Sequence, residues 1–329
     1  MPDGATAAAG AAGALRLGPL GLGCADVGNL YASMSDEQAN AVLEAAWDSG
    51  VRSFDTAPHY GLGLSERRLG AFLATRPRAE YVVSTKVGRL LRPSPHTAHL
   101  QDDAHRFAVP ASLRRVWDAS ADGIRRSLAE SLERLGLDRV DVLYLHDPEE
   151  HGLETSLAAA VPALAALREQ GVVTAVGIGS KSAPSLLAGV RTGALDLVMV
   201  AGRYTLAEQP AAEALLPACR AAGVRVVAAA VYNTGLLSRP APDTTARYEY
   251  GDVPADVLAR VRAIEQVCAA HGVPLPAAAL QYPLRDPVVC CVVVGAATPG
   301  QVRENAARLS TEVPEALWDE LRDRGLVRA

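Results

Sequence analysis

The stretch SADGIRRSLAESLERLGLDRVDVLYLH, residues 120–146, contains a helical segment followed closely by a strand. Four aliphatic residues in it are spaced three or four positions apart and so share one helical face: Ile124, Leu128, Leu132 and Leu135. Gly136 is typical of a residue that ends a helix, and the apolar run at 139–146 is typical of a parallel strand covered on both faces. The stretch therefore predicts a helix that packs on a parallel sheet.

The same unit recurs along the whole chain. Eight apolar or β-branched runs alternate with helical stretches, at residues 17–24, 51–57, 81–87, 139–146, 173–180, 195–202, 224–232 and 288–296. Helix starts are indicated by the capping box of Ser35 and Gln38 and by the Thr298–Pro299 pair. Eight alternations are typical of an α/β protein with a single (β/α)8 TIM barrel. We expect this barrel to occupy residues 15–329, after a disordered tail at residues 1–14 that is rich in Ala and Gly.

Composition excludes several classes of function. The 329 residues carry a formal net charge of -5 and no basic block, so nucleic acid is a poor partner. No apolar run approaches the ~18 residues of a membrane-spanning helix, and the N-terminal stretch lacks the basic residues of a secretory signal. We therefore expect a cytoplasmic protein without a membrane segment. The five cysteines form no C-x-x-C motif, and we expect them to pack in the core.

Two long connections, at residues 88–119 and 232–253, follow the third and seventh predicted strands. Loops that follow barrel strands open on the C-terminal face, where barrel active sites lie. We predict that both connections cover this face and that the first one forms part of the substrate site. Variation in loop length without a function is the alternative.

Four titratable residues stand at or near the ends of adjacent predicted strands: Asp55, Tyr60, Lys86 and His146. Only two of the 32 basic residues are lysines, so a lysine at a strand end is unexpected in this chain. An ammonium lowers the pKa of a nearby phenol, and a carboxylate keeps a buried ammonium charged. This chemistry predicts that Lys86, paired with Asp55, lowers the pKa of Tyr60. His146 would then bind the reacting oxygen. The alternative is that these are four unrelated polar residues near loops.

The segment at 146–151 also contains His, Asp and Glu residues, but its spacing is not that of a metal site. We expect a solvated loop there and no metal. The GLGLSE segment at 61–66 begins like a dinucleotide fingerprint but has Glu66 at the third glycine position, which makes it weak support for a Rossmann domain.

The chain resembles the aldo-keto reductase family over nearly its whole length. The resemblance is carried by SFDTAPHYGLGLSERRLGAFL, YVVSTKVG, SLERLGLDRVDVLYLHDPEEH and VVVGAATPGQVRENAARL, which follow the family pattern in order and spacing. The segments NLYASMSDEQA and STKVGRLL are similar to the branch that contains D-threo-aldose (L-fucose) 1-dehydrogenases and pyridoxal 4-dehydrogenases. The resemblance implies a nicotinamide-dependent oxidoreductase. Its catalytic tetrad would consist of Tyr60 as general acid/base, Lys86 and Asp55 as the pair that tunes it, and His146 as the residue that orients substrate.

The resemblance also implies where the cofactor lies. It places the pyrophosphate on the turn 233–236 and the adenosine half on the helix that starts at Thr298. Ser180 and Arg203 stand near the family's carboxamide contacts, although this chain departs from the family's residues there. The implied cofactor residues are Ser180, Arg203, Asn233, Thr234, Gly235, Leu236, Gly295, Ala296, Gln301, Glu304 and Asn305.

The expected cofactor is NAD in preference to NADP. NADP-selective members hold the 2′-phosphate with a Lys-Ser pair and an Arg, whereas this chain has Gly295, Ala296 and Gln301 at those places. Arg303 is close enough in sequence to leave NADP as the alternative.

The expected substrate is a small aldose such as L-fucose, oxidised at C1 to the lactone, or the corresponding carbonyl compound in reverse. Asp147–Pro148 replaces a common Trp-Pro or Arg-Pro and makes the pocket edge polar, which suits a polyol. Tyr60, His146 and Trp117 are the candidate substrate contacts, with core packing as the alternative for Trp117. Three other functions stay open: oxidation or reduction of another aldehyde such as pyridoxal, a regulatory nucleotide-binding barrel, and an aldolase that uses Lys86 as a Schiff-base nucleophile. The sequence leaves the oligomeric state undetermined.

Overall fold

The computed structural model describes residues 15–249 and 251–328, so the predicted N-terminal tail at 1–14 lies outside the described residues. Within them, eight parallel strands form a closed barrel in which each strand pairs with its neighbours in chain order. The strands are β1 Leu20–Gly23, β2 Ser53–Asp55, β3 Val82–Val87, β4 Val142–His146, β5 Ala175–Ser180, β6 Leu197–Ala201, β7 Arg225–Ala229 and β8 Val289–Gly295. Each lies inside one of the eight predicted runs, and the (β/α)8 prediction is confirmed.

Ten α-helices in the described residues cover the barrel. They are α1 Asp36–Asp48, α2 Leu64–Leu73, α3 Ala121–Leu135, α4 Leu153–Glu169, α5 Ala183–Val190, α6 Leu215–Ala222, α7 Ala255–Ala270, α8 Leu275–Gln281, α9 Pro299–Leu309 and α10 Glu315–Asp323. Between β6 and β7 the chain forms a 3-10 turn, Pro210–Ala212, before the short α6. None of the described helices has the length and apolarity to span a membrane.

Local sequence signals fix the helix ends. Ser35 caps α1, where its Oγ accepts from the Gln38 N–H at 3.2 Å and the Gln38 side chain accepts from the Ser35 N–H at 2.8 Å. Ser120 caps α3 through the Gly123 N–H at 3.0 Å, and Gly136 closes it with φ 63°. The start of α1 and both ends of α3 are therefore set by short-range sequence signals.

Two apolar layers hold the barrel together. The larger one lies between strands and helices and includes Phe54, Leu145 and Ile178. The smaller one fills the barrel interior and includes Tyr144 and Met199. All five cysteines are free, and four of them are buried.

The connection after β3 folds into antiparallel pairs. Arg89–Pro93 pairs with Leu113–Trp117 to form a ribbon that we call the lid hairpin, and within it Gln101–Asp102 pairs with Phe107–Pro110. The Asp118 N–H donates to the Gly88 carbonyl at 2.9 Å, so the hairpin leaves and rejoins the barrel at one point. In the connection after β7, Arg247–Tyr248 pairs with Gly251–Asp252.

Candidate active site

Three adjacent strands bring the predicted catalytic residues to the C-terminal mouth of the barrel. Asp55 is the last residue of β2, His146 is the last residue of β4, and Lys86 lies on β3 between them. Tyr60 lies in the turn between β2 and α2. All four side chains lie in one neighbourhood, as the order of strands in a parallel barrel requires.

Lys86 is the centre of this group. Its Nζ donates to Asp55 Oδ2 at 2.6 Å, to the Thr56 carbonyl at 3.0 Å and to the Tyr60 hydroxyl oxygen at 3.0 Å. The residue is 2 % exposed, so the ammonium depends on these partners in place of water. Ser84 Oγ donates to Asp55 Oδ1 at 2.7 Å and fixes the carboxylate. The contacts link Asp55, Lys86 and Tyr60 in one chain.

The electrostatics of these hydrogen-bonded side chains differ from what the sequence predicts. Burial raises the pKa of Tyr60 to about 12, although Lys86 acts to lower it. The prediction of a net decrease in the pKa of Tyr60 is therefore wrong for this state, because loss of hydration outweighs the ammonium. Burial also acts to lower the pKa of Lys86, but Asp55 and Tyr60 raise it above its ordinary value, and the side chain stays charged.

His146 faces the phenol from the next strand. Its ring lies perpendicular to the Tyr60 ring, with centroids 6.1 Å apart. Burial, together with Arg89 and Lys86, holds the pKa of His146 well below its usual range. The imidazole is therefore neutral at ordinary pH, with one ring nitrogen able to donate a hydrogen bond and the other able to accept one.

The lid hairpin contributes residues that sequence reasoning did not identify. Arg115 forms a two-point ion pair with Asp102, at 2.9 and 2.6 Å, and also donates to the His59 carbonyl at 2.7 Å. The His59 ring meets the His146 ring edge-on, with centroids 5.6 Å apart. The only sequence signal for these residues was the length of the loop, together with the position of His59 beside Tyr60.

Trp117 lies at the base of the lid hairpin, opposite Arg89 in the register. One face of its indole stacks on the His151 ring, with centroids 4.4 Å apart. The ring also lies so close to Gly88 that a Cβ there would come within 2.8 Å of it. Trp117 therefore has both an internal packing role and a place near the mouth, and it touches none of the four tetrad residues through a ring or hydrogen-bond contact among the described residues.

The predicted cofactor residues lie at the ends of β5, β6, β7 and β8 or shortly after them. Ser180, the last residue of β5, donates to Glu149 and accepts from the Ser182 N–H at 2.8 Å. Arg203, just beyond β6, donates to Glu208 and Glu249, both at 3.0 Å. Both side chains are thus already paired within the protein.

The turn after β7 has an unusual backbone. Asn233, Thr234 and Gly235 have φ values of 46°, 59° and 94°, so three successive residues are left-handed. Asn233 is 1 % exposed, and its Oδ1 and Nδ2 have no hydrogen-bond partner among the described residues. A buried amide without a partner is rare in proteins and is typical of a site completed by a polar ligand.

The segment after β8 carries the remaining predicted cofactor residues. Gly295 ends the strand, and a Cβ added there would lie 2.5 Å from Asp26 Oδ2. Gln301 belongs to the N-terminal cap of α9, because its Oε1 accepts from the Ala297 N–H at 2.8 Å. Asn305 Oδ1 accepts from the Tyr232 hydroxyl at 3.0 Å, and Glu304 pairs with Arg308 at 3.0 Å. Among these side chains, Asn305 is buried and Glu304 is exposed.

Comparison with known proteins identifies the family of this chain. Residues 19–324 match the model of the aldo/keto reductase family. A D-threo-aldose 1-dehydrogenase from a Pseudomonas species is 54% identical over 98% of each chain. A pyridoxal 4-dehydrogenase from Microbacterium luteolum is 36% identical over 95% of each chain.

Solved structures with the same fold include the holo form of an aldo-keto reductase from Bacillus halodurans, with a TM-score of 0.74 and 23% identity over 96% of each chain. The glycerol dehydrogenase from Gluconobacter oxydans has a TM-score of 0.72 and 22% identity, over 95% of this chain and 94% of that one. At these identities the likeness concerns the fold alone.

Proposed function

Since the chain belongs to the aldo/keto reductase family and is an oxidoreductase of that family, we propose that it oxidises an aldose at C1 to the lactone. L-Fucose or another D-threo-aldose is the proposed substrate, and the name of the 54% identical relative supports it. The observation that carries the chemistry is the hydrogen-bonded chain from Asp55 through Lys86 to Tyr60, at 2.6 and 3.0 Å.

In the proposed mechanism, Tyr60 exchanges the proton. A pyranose hemiacetal is equivalent to a secondary alcohol, so its oxidation removes a hydride from C1 and a proton from the C1 hydroxyl. The Tyr60 oxygen takes the proton in oxidation and returns it in carbonyl reduction. Lys86 stabilises the phenolate form at 3.0 Å, and Asp55 holds Lys86 in place.

His146 orients the reacting oxygen. Because the imidazole is neutral, its N–H donates a hydrogen bond to the C1 oxygen without placing a second positive charge beside Lys86. Burial of the group excludes water and so strengthens these interactions.

A nicotinamide dinucleotide, the cofactor of this family, supplies the hydride acceptor in oxidation and the donor in reduction. The orphaned amide of Asn233 fits such a polar ligand. We propose that the turn 233–236 holds the pyrophosphate. The remaining cofactor contacts proposed are Ser180, Arg203, Gly295, Ala296, Gln301, Glu304 and Asn305.

We propose NAD in preference to NADP. The Asp26 carboxylate lies against Gly295, so the space that a lysine would need to bind a 2′-phosphate is taken by a carboxyl group. Burial raises the pKa of Asp26 to about 6, so the carboxyl group is mostly ionised at neutral pH. Gln301→Arg should shift the ratio of kcat/KM values toward NADP. Gln301→Glu is the matched control, because it keeps an acceptor for the Ala297 N–H without adding a cation. A wild-type preference for NADP would contradict this proposal.

Oxidation of pyridoxal is the second candidate, favoured by the 36% identical relative. The aldolase alternative is disfavoured, because a lysine nucleophile must lose its proton and the pKa of Lys86 is shifted upward, with burial opposed by Asp55 and Tyr60. The paired tetrad disfavours a purely regulatory barrel. We also propose a cytoplasmic location, which the five free cysteines support. A small sugar or aldehyde is the partner that the site requires.

The decisive experiment is a substrate panel. Aldoses, pyridoxal and simple aldehydes are incubated with NAD, NADP and their reduced forms, and the nicotinamide absorbance is followed, with Tyr60→Phe as the inactive control. We expect the highest kcat/KM with a D-threo-aldose and NAD. Higher efficiency with pyridoxal would select the second candidate. Borohydride trapping of a carbonyl substrate on Lys86 would contradict both.

A further inference from the structure

The loop after β4 fixes a carboxylate directly beside His146. Asp147 has a φ of 47°, a left-handed conformation that is uncommon outside glycine but tolerated by aspartate. Its N–H donates to the Gly179 carbonyl of β5 at 2.9 Å, and the ring of Pro148 fixes φ at the next position. The Asp147 side chain is therefore carried on a backbone that two strands hold in place.

Arg89, at the start of the lid hairpin, binds one oxygen of this carboxylate. Arg89 is 7 % exposed, and its Nη2 donates to Asp147 Oδ2 at 2.9 Å and to Glu150 Oε2 at 2.6 Å. Asp147 Oδ2 also lies 3.4 Å from His146 Nε2. Asp147 Oδ1 has no hydrogen-bond partner among the described residues, and the side chain is 19% exposed. One oxygen is thus fixed and the other remains open to a ligand.

We propose that Asp147 determines substrate specificity by accepting a hydrogen bond from the hydroxyl on the carbon next to the one that is oxidised. This inference rests on the proposed aldose dehydrogenase function. Hydroxyls on neighbouring ring carbons lie about as far apart as two hydrogen-bonded oxygens. A sugar whose C1 oxygen reaches His146 Nε2 would bring its C2 hydroxyl beside the Asp147 carboxylate, whose Arg89-bound Oδ2 lies 3.4 Å from that nitrogen.

The chemistry of a carboxylate makes this contact selective. An ionised carboxylate accepts hydrogen bonds and donates none, so it favours a hydroxyl over a carbonyl or a methylene group. Burial raises the pKa of Asp147 to about 6 although Arg89 opposes this shift, and the group is ionised above that pH. A sugar without the C2 hydroxyl would leave a partly buried carboxylate oxygen without its donor, which a site of this kind penalises.

Two other roles for Asp147 predict different behaviour. If Asp147 acts only by positioning His146, its loss slows every substrate equally. If it serves only as the ion-pair partner of Arg89, its loss lowers thermal stability and leaves the relative rates of different sugars unchanged. Neither role gives the enzyme a preference that depends on the C2 hydroxyl.

The test is a cycle of two protein forms and two sugars. The value of kcat/KM is measured with NAD for L-fucose and 2-deoxy-L-fucose, in the wild type and in Asp147→Ala. A cycle is needed because the C2 hydroxyl also changes the intrinsic reactivity of C1. Asp147→Asn, which keeps the shape and a neutral acceptor, guards against a folding defect. Glu150→Gln is the matched control, since Glu150 binds the same Arg89 but is 58% exposed.

We expect the preference of the wild type for L-fucose over the deoxy sugar to fall about 10- to 100-fold in Asp147→Ala, with the loss mainly in KM, and less in Asp147→Asn. Glu150→Gln should keep the wild-type preference. Equal losses for both sugars in Asp147→Ala would overturn the inference. A wild type that oxidises both sugars equally would overturn it while the proposed function stands. A wild type that oxidises no aldose would overturn both.

Discussion

Two buried ion pairs lie on opposite sides of the barrel wall. One contains Lys86 of β3, and the other contacts Thr85, the residue before it. On the inner side, Lys86 binds Asp55 at 2.6 Å. On the outer side, Thr85 donates to Glu66 at 2.8 Å, and Glu66 binds Arg134 at 2.6 Å. Both acids are nearly inaccessible to solvent, and each also accepts from a hydroxyl of β3, Ser84 on the inner side and Thr85 on the outer.

The difference lies in the second side chain that each cation contacts. Arg134 also donates to Ser131, which does not titrate in the ordinary range, so the outer pair joins α2 to α3. Lys86 donates to Tyr60, a phenol at the barrel mouth. Burial and short distance are therefore common to both pairs, and only the titratable third partner indicates catalysis. Each of the following predictions tests this distinction.

The largest effect is expected for Tyr60→Phe. This change removes the proton-transfer group and little volume, so turnover should fall about 100- to 10,000-fold while the Kd for the cofactor and the melting temperature change little. Steady-state kinetics and cofactor titration check it. Retention of more than about half of the activity would contradict the role proposed for Tyr60.

Lys86→Arg should be nearly as damaging to kcat as Lys86→Met. A guanidinium is larger and planar and has a different donor geometry, so it does not reproduce the contact to the phenol oxygen. The two variants should differ in stability, because Lys86→Met leaves Asp55 buried without its cation. Kinetics and thermal unfolding separate these effects. An active Lys86→Arg enzyme would show that the Lys86–Asp55 pair is structural, like the Glu66–Arg134 pair.

Arg134→Met should lower the free energy of unfolding by about 3–5 kcal/mol, because Glu66 is left as a buried charge without a partner. The kcat of the folded fraction should stay close to that of the wild type. Arg134→Lys, which keeps the charge, should recover part of the stability. Denaturant unfolding with parallel kinetics is the measurement. A loss of kcat in folded Arg134→Met would show that the Glu66–Arg134 pair also affects catalysis.

The pH dependence gives a further test. Since burial raises the pKa of Tyr60 to about 12, the phenolate fraction grows with pH throughout the neutral and alkaline range. The kcat/KM for aldose oxidation should therefore rise by up to about tenfold per unit below that pKa, whereas carbonyl reduction, which uses the protonated phenol, should not gain. Arg134→Lys should show the same slope. An oxidation rate that falls between pH 7 and 10 would contradict the assignment of the base.

The smallest effects are expected for the two hydroxyls of β3. Ser84→Ala removes the donor to Asp55 and should lower kcat a few-fold, whereas Thr85→Val removes the donor to Glu66 and should cost about 1–3 kcal/mol of stability with kcat unchanged. The pair is matched because the residues are adjacent and both are buried. A lower kcat in Thr85→Val together with an unchanged kcat in Ser84→Ala would show that the Glu66–Arg134 pair affects the chemistry.

The barrel and its tetrad were predictable because both depend on local order. Each observed strand lies inside a predicted apolar run, and strand order alone brings Asp55, Lys86 and His146 to one end of the barrel. The start of α9 was also predicted from the sequence, by the Thr298–Pro299 pair, and Thr298 Oγ1 caps the helix by accepting from the Gln301 N–H at 3.2 Å. Gln301 Oε1 accepts from the Ala297 N–H at 2.8 Å, so Gln301 has a structural role besides the cofactor contact proposed for it.

The remaining features depend on contacts distant in sequence. Arg89 meets Asp147 and Arg134 meets Glu66 across separations of 58 and 68 residues, and charged residues in loops show no periodicity that would reveal such pairs. The direction of the pKa shift of Tyr60 was also unpredictable, because it depends on how completely the folded protein removes water from the phenol. The sequence identifies the charged residues but does not show how far the fold removes each of them from water.

The lid hairpin begins and ends at a single hydrogen bond, from the Asp118 N–H to the Gly88 carbonyl at 2.9 Å. A segment whose two ends coincide is topologically an insert: replacing it changes neither the spacing of β3 and α3 nor the register of the barrel. The hairpin can therefore be exchanged between relatives in the laboratory while the strands that carry Asp55, Lys86 and His146 keep their spacing, provided that Arg89 and Arg115 are retained for their contacts to Asp147 and His59. Exchange of the hairpin thus tests separately whether it carries substrate contacts, because the strand ends below it are unchanged.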